Sequence, residues 1–330
     1  MSQFENKNIC YTLKLTVIIM LGLVLFIARV GADPSIQSTM DNNKASAPEY
    51  FVAFAQDTLA NDWRLEQVRE VERVLAAHPS IRFMVTDGKG QTAKQILDIE
   101  DLIAKGVDVL ITSPRDAQAL VPVISQAYRQ GISVVLLDRR VEGDDFTVFI
   151  APDNRDIARK AARYLGKKHP AGGKILMLKG VKNATPTIHR TQGFVEELKK
   201  FKQLKIVAEK TANYLRGDAI HAVEEVLSAG IQFDIIYAQS DSMASGARIA
   251  LKHAGVDLKK ITIIGIDYIK EARSAILAGE QDVSFTYPTC GRQGADYVLS
   301  LLKGKEVPKK VTIESEMVNI DNVERLEPIF

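Results

Sequence analysis

The stretch "ISVVLLDRR", Ile132–Arg140, is apolar and rich in β-branched residues until it breaks into one carboxylate and two guanidinium groups. A half-buried strand would alternate apolar with polar side chains. The run through Val134–Leu137 does not, so it reads as a strand covered on both faces, the kind found in parallel sheets. Its charged end then marks the rim of the sheet. In open α/β sheets ligands bind outside the carboxyl ends of the strands, which makes Asp138 and Arg139 candidate ligand contacts and leaves Arg140 as a solvated neighbour.

The same rhythm extends in both directions. "YFVAFA", "IRFMVTD", "VDVLITS", "ISVVLLD" and "FTVFIAP" are short apolar runs separated by helix-length segments or turns, and after Pro152 the series resumes with "KILMLKG", "KIVAEKT", "FDIIYAQS", "ITIIGID" and "DVSFTYP". That is a βαβ series repeated in two half-chains, predicting two doubly wound parallel-sheet lobes of the α/β class. In "AKQILDIEDLIAKG" the residues Ile96, Ile99, Leu102 and Ile103 share one helical face. Gly106, Gly131 and Gly230 each stand where such a helix gives way to the next strand, and glycine accepts the left-handed C-cap conformation without steric cost.

The chain has 330 residues, 46% hydrophobic and 25% charged, enough for two domains with sizeable cores. Its formal net charge of +2, with no basic run interleaved with aromatics, gives no sign of nucleic-acid binding. Residues 1–32 stand apart. Lys7 and Lys14 precede the apolar run Leu15–Ala28, and Val30–Ala32 offers small residues for a signal peptidase, so the segment reads as a cleaved secretory signal. The apolar run is shorter than the roughly 20 residues that span a bilayer as a stable helix. An uncleaved membrane anchor is the alternative, because Arg29 interrupts the cleavage region. Residues 33–48 read as a disordered polar spacer. Of the two cysteines, Cys10 lies in the signal and Cys290 is left without an intrachain partner.

Six motifs in this order resemble the type I periplasmic sugar-binding proteins, the ribose- and galactofuranose-binding group of ABC-transporter substrate-binding proteins. They are "GVDVLITSPRDA", "VVLLDRR", "APDN" at Ala151–Asn154, "HRTQGF" at His189–Phe194, "YAQSDSMASGA" at Tyr237–Ala247 and "GIDY" at Gly265–Tyr268. The resemblance implies two lobes joined by a three-strand hinge, with the ligand between them. One lobe would be 50–149 plus 287–314 and the other 150–286 plus 315–330. Repressors of the lac type share this core but carry an N-terminal helix-turn-helix, where this chain has a signal and spacer.

A sugar hydroxyl both donates and accepts, so a sugar site needs carboxylates and guanidinium groups held in mutual orientation. Asp138 and Arg139 form one such pair. The resemblance adds Trp63 and Arg64, where an indole face would pack on a sugar ring, and Gln91 after "TDGKG". From the second half-chain it adds Arg190, Tyr214 and Asp267, the last ending its strand as Asp138 does. Trp63 could instead anchor the first helix in the core, and Tyr214 could simply pack. Ser240 replaces an asparagine common in the family, with Asp241 beside it as an N-cap or ligand contact, and Thr286 or Tyr287 stands where ribose binders use glutamine.

The five histidines, His78, His169, His189, His221 and His253, show no metal-ligand spacing, and "DGKGQT" lacks the spacing and terminal Lys-Ser/Thr of a phosphate loop. The expectation is therefore a periplasmic, monomeric, non-enzymatic receptor without cofactor or metal, which passes a monosaccharide or similar polyol to the membrane permease of an ABC transporter. The alternative is a sensory protein that presents the sugar-bound form to a membrane histidine kinase or chemoreceptor. Mass analysis of the protein from a native-like host is expected to show a chain beginning at Asp33. An intact Met1 in the membrane fraction would establish the anchor instead.

Overall fold

The computed structural model describes residues 49–330, so the signal and spacer expectations for 1–32 and 33–48 lie outside the described residues. In the first lobe β1 (Tyr50–Gln56), β2 (Ile81–Asp87), β3 (Val109–Thr112), β4 (Ser133–Leu137), β5 (Val148–Pro152) and β11 (Lys310–Ile313) form one parallel sheet. Its order is β11-β5-β4-β3-β1-β2. In the second lobe β6 (Gly173–Lys179), β7 (Leu204–Thr211), β8 (Ile235–Ala238) and β9 (Thr262–Ile264) form a parallel sheet in the order β7-β6-β8-β9. Beyond β9 lies a two-stranded antiparallel ribbon of β10 (Ser284–Phe285) and β12 (Met317–Val318). The α/β class and the two parallel sheets are as the sequence predicts.

The opening stretch shows why the first sheet needs cover on both sides. Val134 and Leu136 pack with Ile99 and Leu102 of α2 (Thr92–Ala104) and with Val123, Ile124 and Ala127 of α3 (Val121–Arg129). Val135 and Leu137 turn the other way, onto Val68, Val71 and Leu75 of α1 (Asp62–Leu75) and Ala295 and Val298 of α9 (Gly291–Leu302). The four apolar residues of β4, Val134–Leu137, are fully buried, so the strict two-residue alternation serves two apolar layers at once.

The second sheet repeats the plan. Ile175, Met177 and Ile235 meet α4 (Asn154–Lys168) and α5 (Thr185–Leu198), while Leu176, Leu178 and Ile236 meet α6 (Arg216–Ser228) and α7 (Asp241–His253). The helix α8 (Lys270–Leu277) follows β9. Gly106, Gly131 and Gly230 adopt φ of 73°, 86° and 69°, the left-handed stop conformation.

Because β5 pairs with β4 through Ile150 and with β11 through Pro152, a lobe break between 149 and 150 falls inside a strand of the first sheet. The chain instead crosses at Asp153, which caps α4 by accepting from the backbone N–H groups of Arg155 and Asp156. Two further crossovers link β10 to α9 and β11 to β12.

Gly193 lies inside α5 where that helix touches α4, and a Cβ there would stand 2.5 Å from the Arg155 carbonyl oxygen. Helix propensity alone would favour alanine by about 1 kcal/mol. Overpacking against a neighbouring backbone costs about 1–3 kcal/mol, so Gly193→Ala is expected to lower the denaturant midpoint in equilibrium unfolding.

Candidate ligand-binding cleft between the lobes

The carboxyl ends of both sheets face a cavity of about 290 Å³ lined by residues of both lobes. On the first-lobe side, three chain segments deliver charge. Asp57 directly follows β1, Arg64 projects from the first turn of α1, and Asp138 and Arg139 follow β4. All four are buried, at 1%, 6%, 2% and 2% exposure, so their pairing decides whether they can stay ionised. Arg64 Nη2 lies 2.6 Å from Asp138 Oδ2, and Arg139 Nη1 lies 2.8 Å from Asp57 Oδ2. The Tyr287 hydroxyl donates to Asp138 Oδ1 at 2.6 Å. Burial opposes ionisation of Asp138, but Arg64 and Arg139 outweigh it and hold the carboxyl below its ordinary value.

From the second lobe Arg190 of α5 donates through Nε to Asn154 Oδ1 at 2.7 Å and through Nη1 to the Gln239 carbonyl. Its guanidinium lies 4.4 Å from the Tyr287 ring centroid and 5.8 Å from that of Tyr214. Asp267 occupies the corresponding place after β9, but its electrostatics are the reverse of those of Asp138. Burial drives its carboxyl well above the usual range, and the more distant Arg190 offsets that only in part. No hydrogen bond from a described residue supports the charged form of Asp267.

Asp241 sets the position of Asp267. Its carboxylate accepts from the Tyr268 N–H at 2.7 Å, the Ser284 hydroxyl at 2.5 Å and Gln281 Nε2 at 2.7 Å, while its own N–H donates to the Ile266 carbonyl. This ties down both sides of Asp267, which has φ 123°. The N-cap of α7 is Ser240, whose hydroxyl accepts from the Met243 N–H, so Asp241 is a buried loop anchor. Among non-glycine residues with positive φ, Lys89, Asp138, Asn213, Tyr214 and Asp267 all line the cleft. The local backbone cost, of order 1–3 kcal/mol at each such residue, is therefore concentrated where side chains must be aimed.

Trp63, Arg64, Asp138, Arg139, Arg190, Tyr214, Ser240 and Asp267 all line the cavity. Trp63 combines both of its sequence readings. It is 6% exposed, donates its indole N–H to the Tyr287 carbonyl at 3.2 Å and packs 5.9 Å from the Tyr287 ring, yet still forms part of the wall.

Gln91 and Thr286 are not brought in. The turn Gly88–Gly90 is tied back to Asp57 through the Gly90 N–H, which places Lys89 and Gly90 at the cleft and leaves Gln91 exposed at the start of α2. Thr286 exchanges hydrogen bonds with Glu316, from its N–H to the Glu316 carbonyl and from the Glu316 N–H to its hydroxyl. It thus faces the β11–β12 crossover, and strand alternation sends Tyr287 into the cleft in its place.

Asp57, Asn61, Lys89 and Arg115 are lining residues that the sequence reading passed over. The strand-end rule applied to "YFVAFAQD" would have found Asp57, but the others sit on turns whose direction has no periodic signal.

A periplasmic binding protein domain matches residues 52–306 of the chain. The chain belongs to the periplasmic binding protein family. Over 91% of its length it is 26% identical to the ribose import binding protein of Bacillus subtilis, 97% of which is covered. Among solved structures, the fructose-binding periplasmic domain of a hybrid two-component system superposes with a TM-score of 0.79 at 29% identity, covering 84% of this chain and 92% of that one. The Caulobacter myo-inositol binding protein bound to myo-inositol superposes at 0.78 with 25% identity, covering 86% and 97%.

The raised carboxyl of Asp267 gives a signed prediction for this family member. A group whose folded pKa exceeds its unfolded value contributes stability below the unfolded pKa and loses it as pH rises through the folded one, so Asp267 makes the ligand-free protein less stable as the pH rises above the ordinary carboxylate range. Asp267→Asn is therefore expected to raise the ligand-free melting temperature at pH 7 by a few degrees, about 1 kcal/mol in ΔG, and to weaken ligand binding. Lower stability with undiminished binding would remove Asp267 from the site.

Proposed function

We propose that this protein is an exported, non-enzymatic receptor that captures a monosaccharide or similar polyol between its lobes and delivers it to the membrane permease of an ABC transporter. The observation that carries this reading is that Asp267, buried and without a side-chain hydrogen bond from a described residue, and the buried donor Arg190 both line a cavity of small-molecule size. Vicinal hydroxyls satisfy both because each can donate to a carboxylate and accept from a guanidinium. The Trp63 and Tyr214 rings supply apolar faces for the C–H side of the ring. The relatives named above are binding proteins for ribose, fructose and myo-inositol, which supports a polyhydroxylated ligand.

Closure supports the reading as well. Asn61 Nδ2 donates to the Tyr214 carbonyl at 2.8 Å, Asn183 Nδ2 to Asp116 at 2.6 Å, and the Arg140 N–H to the Thr185 hydroxyl at 3.2 Å, each from one lobe to the other. These few contacts form only when the lobes meet. A ligand touching both sides raises the closed population by its differential affinity for that state. Delivery to the periplasm would follow from the signal read in residues 1–32. A second reading, a sensor that presents its closed form to a membrane kinase, is favoured by the likeness to the fructose-binding domain of a hybrid two-component system.

A thermal-shift screen over sugars and polyols tests the shared part of both readings. A ligand at 100 times its Kd is expected to stabilise the fold by about 2.7 kcal/mol. The same ligand should change the emission of Trp63, the only tryptophan in the chain, in a saturable way. If no sugar or polyol moves either signal, the cleft is not a carbohydrate site.

A further inference from the structure

The charge of the cleft divides unevenly between its two ends. In the middle, Arg64 and Arg139 are matched by Asp57 and Asp138 within 4 Å, and on the second-lobe side Arg190 faces Asp267. Two cations remain at the first-lobe end. Arg115 reaches only Asp57, Nη1 to Oδ2 at 3.5 Å, and the same oxygen is already held by Arg139 at 2.8 Å. Arg64 Nε lies 3.5 Å from the other oxygen, so one carboxylate is divided among three guanidinium groups. Lys89, exposed on the turn before α2, also lines this end and forms no salt bridge among the described residues.

Two further observations show guanidinium groups at this end with unused donor capacity. Arg139 Nε, 3.7 Å from Asp138 Oδ2, is buried without a hydrogen-bond partner, as is Asp57 Oδ1, and the Arg139 side chain, only 2% exposed, borders the cavity. Burial, and next to it the neighbouring charge of Arg64, lower the Arg139 pKa from its usual value despite both carboxylates. Arg115 is more than a solvated rim charge, since its side chain is 22% exposed and lies over Gly90. There φ is +69°, and even an added Cβ would come within 3.6 Å of Arg115 Nη1.

We propose that the ligand is an acidic monosaccharide or polyol, whose carboxylate or phosphate sits among Lys89, Arg115 and Arg139 while its hydroxyls engage Asp267 and Arg190. This rests on reading the cleft as a carbohydrate site and adds the charge of the ligand to it. A planar carboxylate or a phosphate matches the fork of a guanidinium, and in a partly desolvated cleft such a charge-assisted pair is stronger than a hydroxyl contact. A neutral sugar would bring no charge to this end, where Lys89 has no salt bridge among the described residues and Arg115 shares Asp57 with two other guanidinium groups.

Calorimetry on the purified chain with matched pairs distinguishes the cases. D-Galactose is compared with D-galacturonate, D-glucitol with D-gluconate, and D-ribose with D-ribose 5-phosphate. In at least one pair the acidic member is expected to bind about tenfold more tightly or better. Its affinity should fall between low salt and about 0.5 M salt, while that of its neutral partner stays level. Which pair shows the gain separates a carboxylate from a phosphate. In the double variant Lys89→Gln/Arg115→Gln the acid-to-neutral affinity ratio is expected to drop to about one. Neutral members binding as well as or better than acidic ones in every pair would overturn the acidic ligand and leave the carbohydrate site standing. Binding of no member of any pair would overturn both.

Discussion

The contact between Arg64 and Asp138 is the constraint around which the cleft is arranged. Both groups are buried, and taking two such ions out of water costs several kcal/mol each unless geometry repays it. Repayment comes from convergence. Asp138 also receives the Tyr287 hydroxyl, Tyr287 accepts from Asn154 Nδ2, and Asn154 accepts from Arg190 Nε. Tyr287 sits on the β10–α9 crossover and Asn154 just after the first crossover, so this chain of polar contacts runs from one lobe to the other through two of the three connections. The charged groups that line the cleft are thereby held by the same bonds that join the lobes.

Much of this was legible in the sequence because it depends on alternation and on strand ends. The run Val134–Leu137 is apolar on both faces, and the structure puts an apolar layer on each. Asp138, Arg139 and Asp267 stand where such runs stop, so their arrival at the cleft follows from the sheet geometry. Gln91 and Thr286 depart because their direction is set by contacts distant in the chain. The turn before Gln91 is held by a bond to Asp57, and Thr286 is claimed by Glu316. No local pattern encodes either bond. The short strands β11 and β12 are foreshadowed only by the family resemblance, for a related reason: with burial broken by charged neighbours, "KVTI" and "MV" carry too few apolar residues to announce a sheet edge.

The two aspartates that close their strands show how equal placement produces opposite chemistry. Asp138 is surrounded by donors from its own lobe and stays charged at little net cost. Asp267 has its surrounding backbone fastened by Asp241, yet its own carboxylate is left without a donor. Asp241 itself is buried and its carboxyl is raised by that burial, so the loop is held by a group that is also costly to keep ionised. The second lobe thus keeps an acceptor in reserve, at the expense of stability in the empty protein.

That reserve bears directly on closure. With the lobes apart, water can hydrate Asp267 and Arg190. When the lobes meet around an empty cavity that hydration is reduced, and no hydrogen bond from a described residue replaces it at the Asp267 carboxylate. On the proposed reading, a ligand with hydroxyls would replace the lost water bonds at both groups, and its binding free energy would contain a term that exists only in the closed state. Such a term is what converts occupancy into a change of shape, since a ligand shifts a two-state equilibrium only by the difference in its affinity for the two states. The direct bonds between lobes, at Asn61, Asn183 and Arg140, are few and partly exposed, and each contributes on the order of 1 kcal/mol. They are enough to fix the orientation of the closed lobes, while the unsupported carboxylate keeps that state dependent on what fills the cleft.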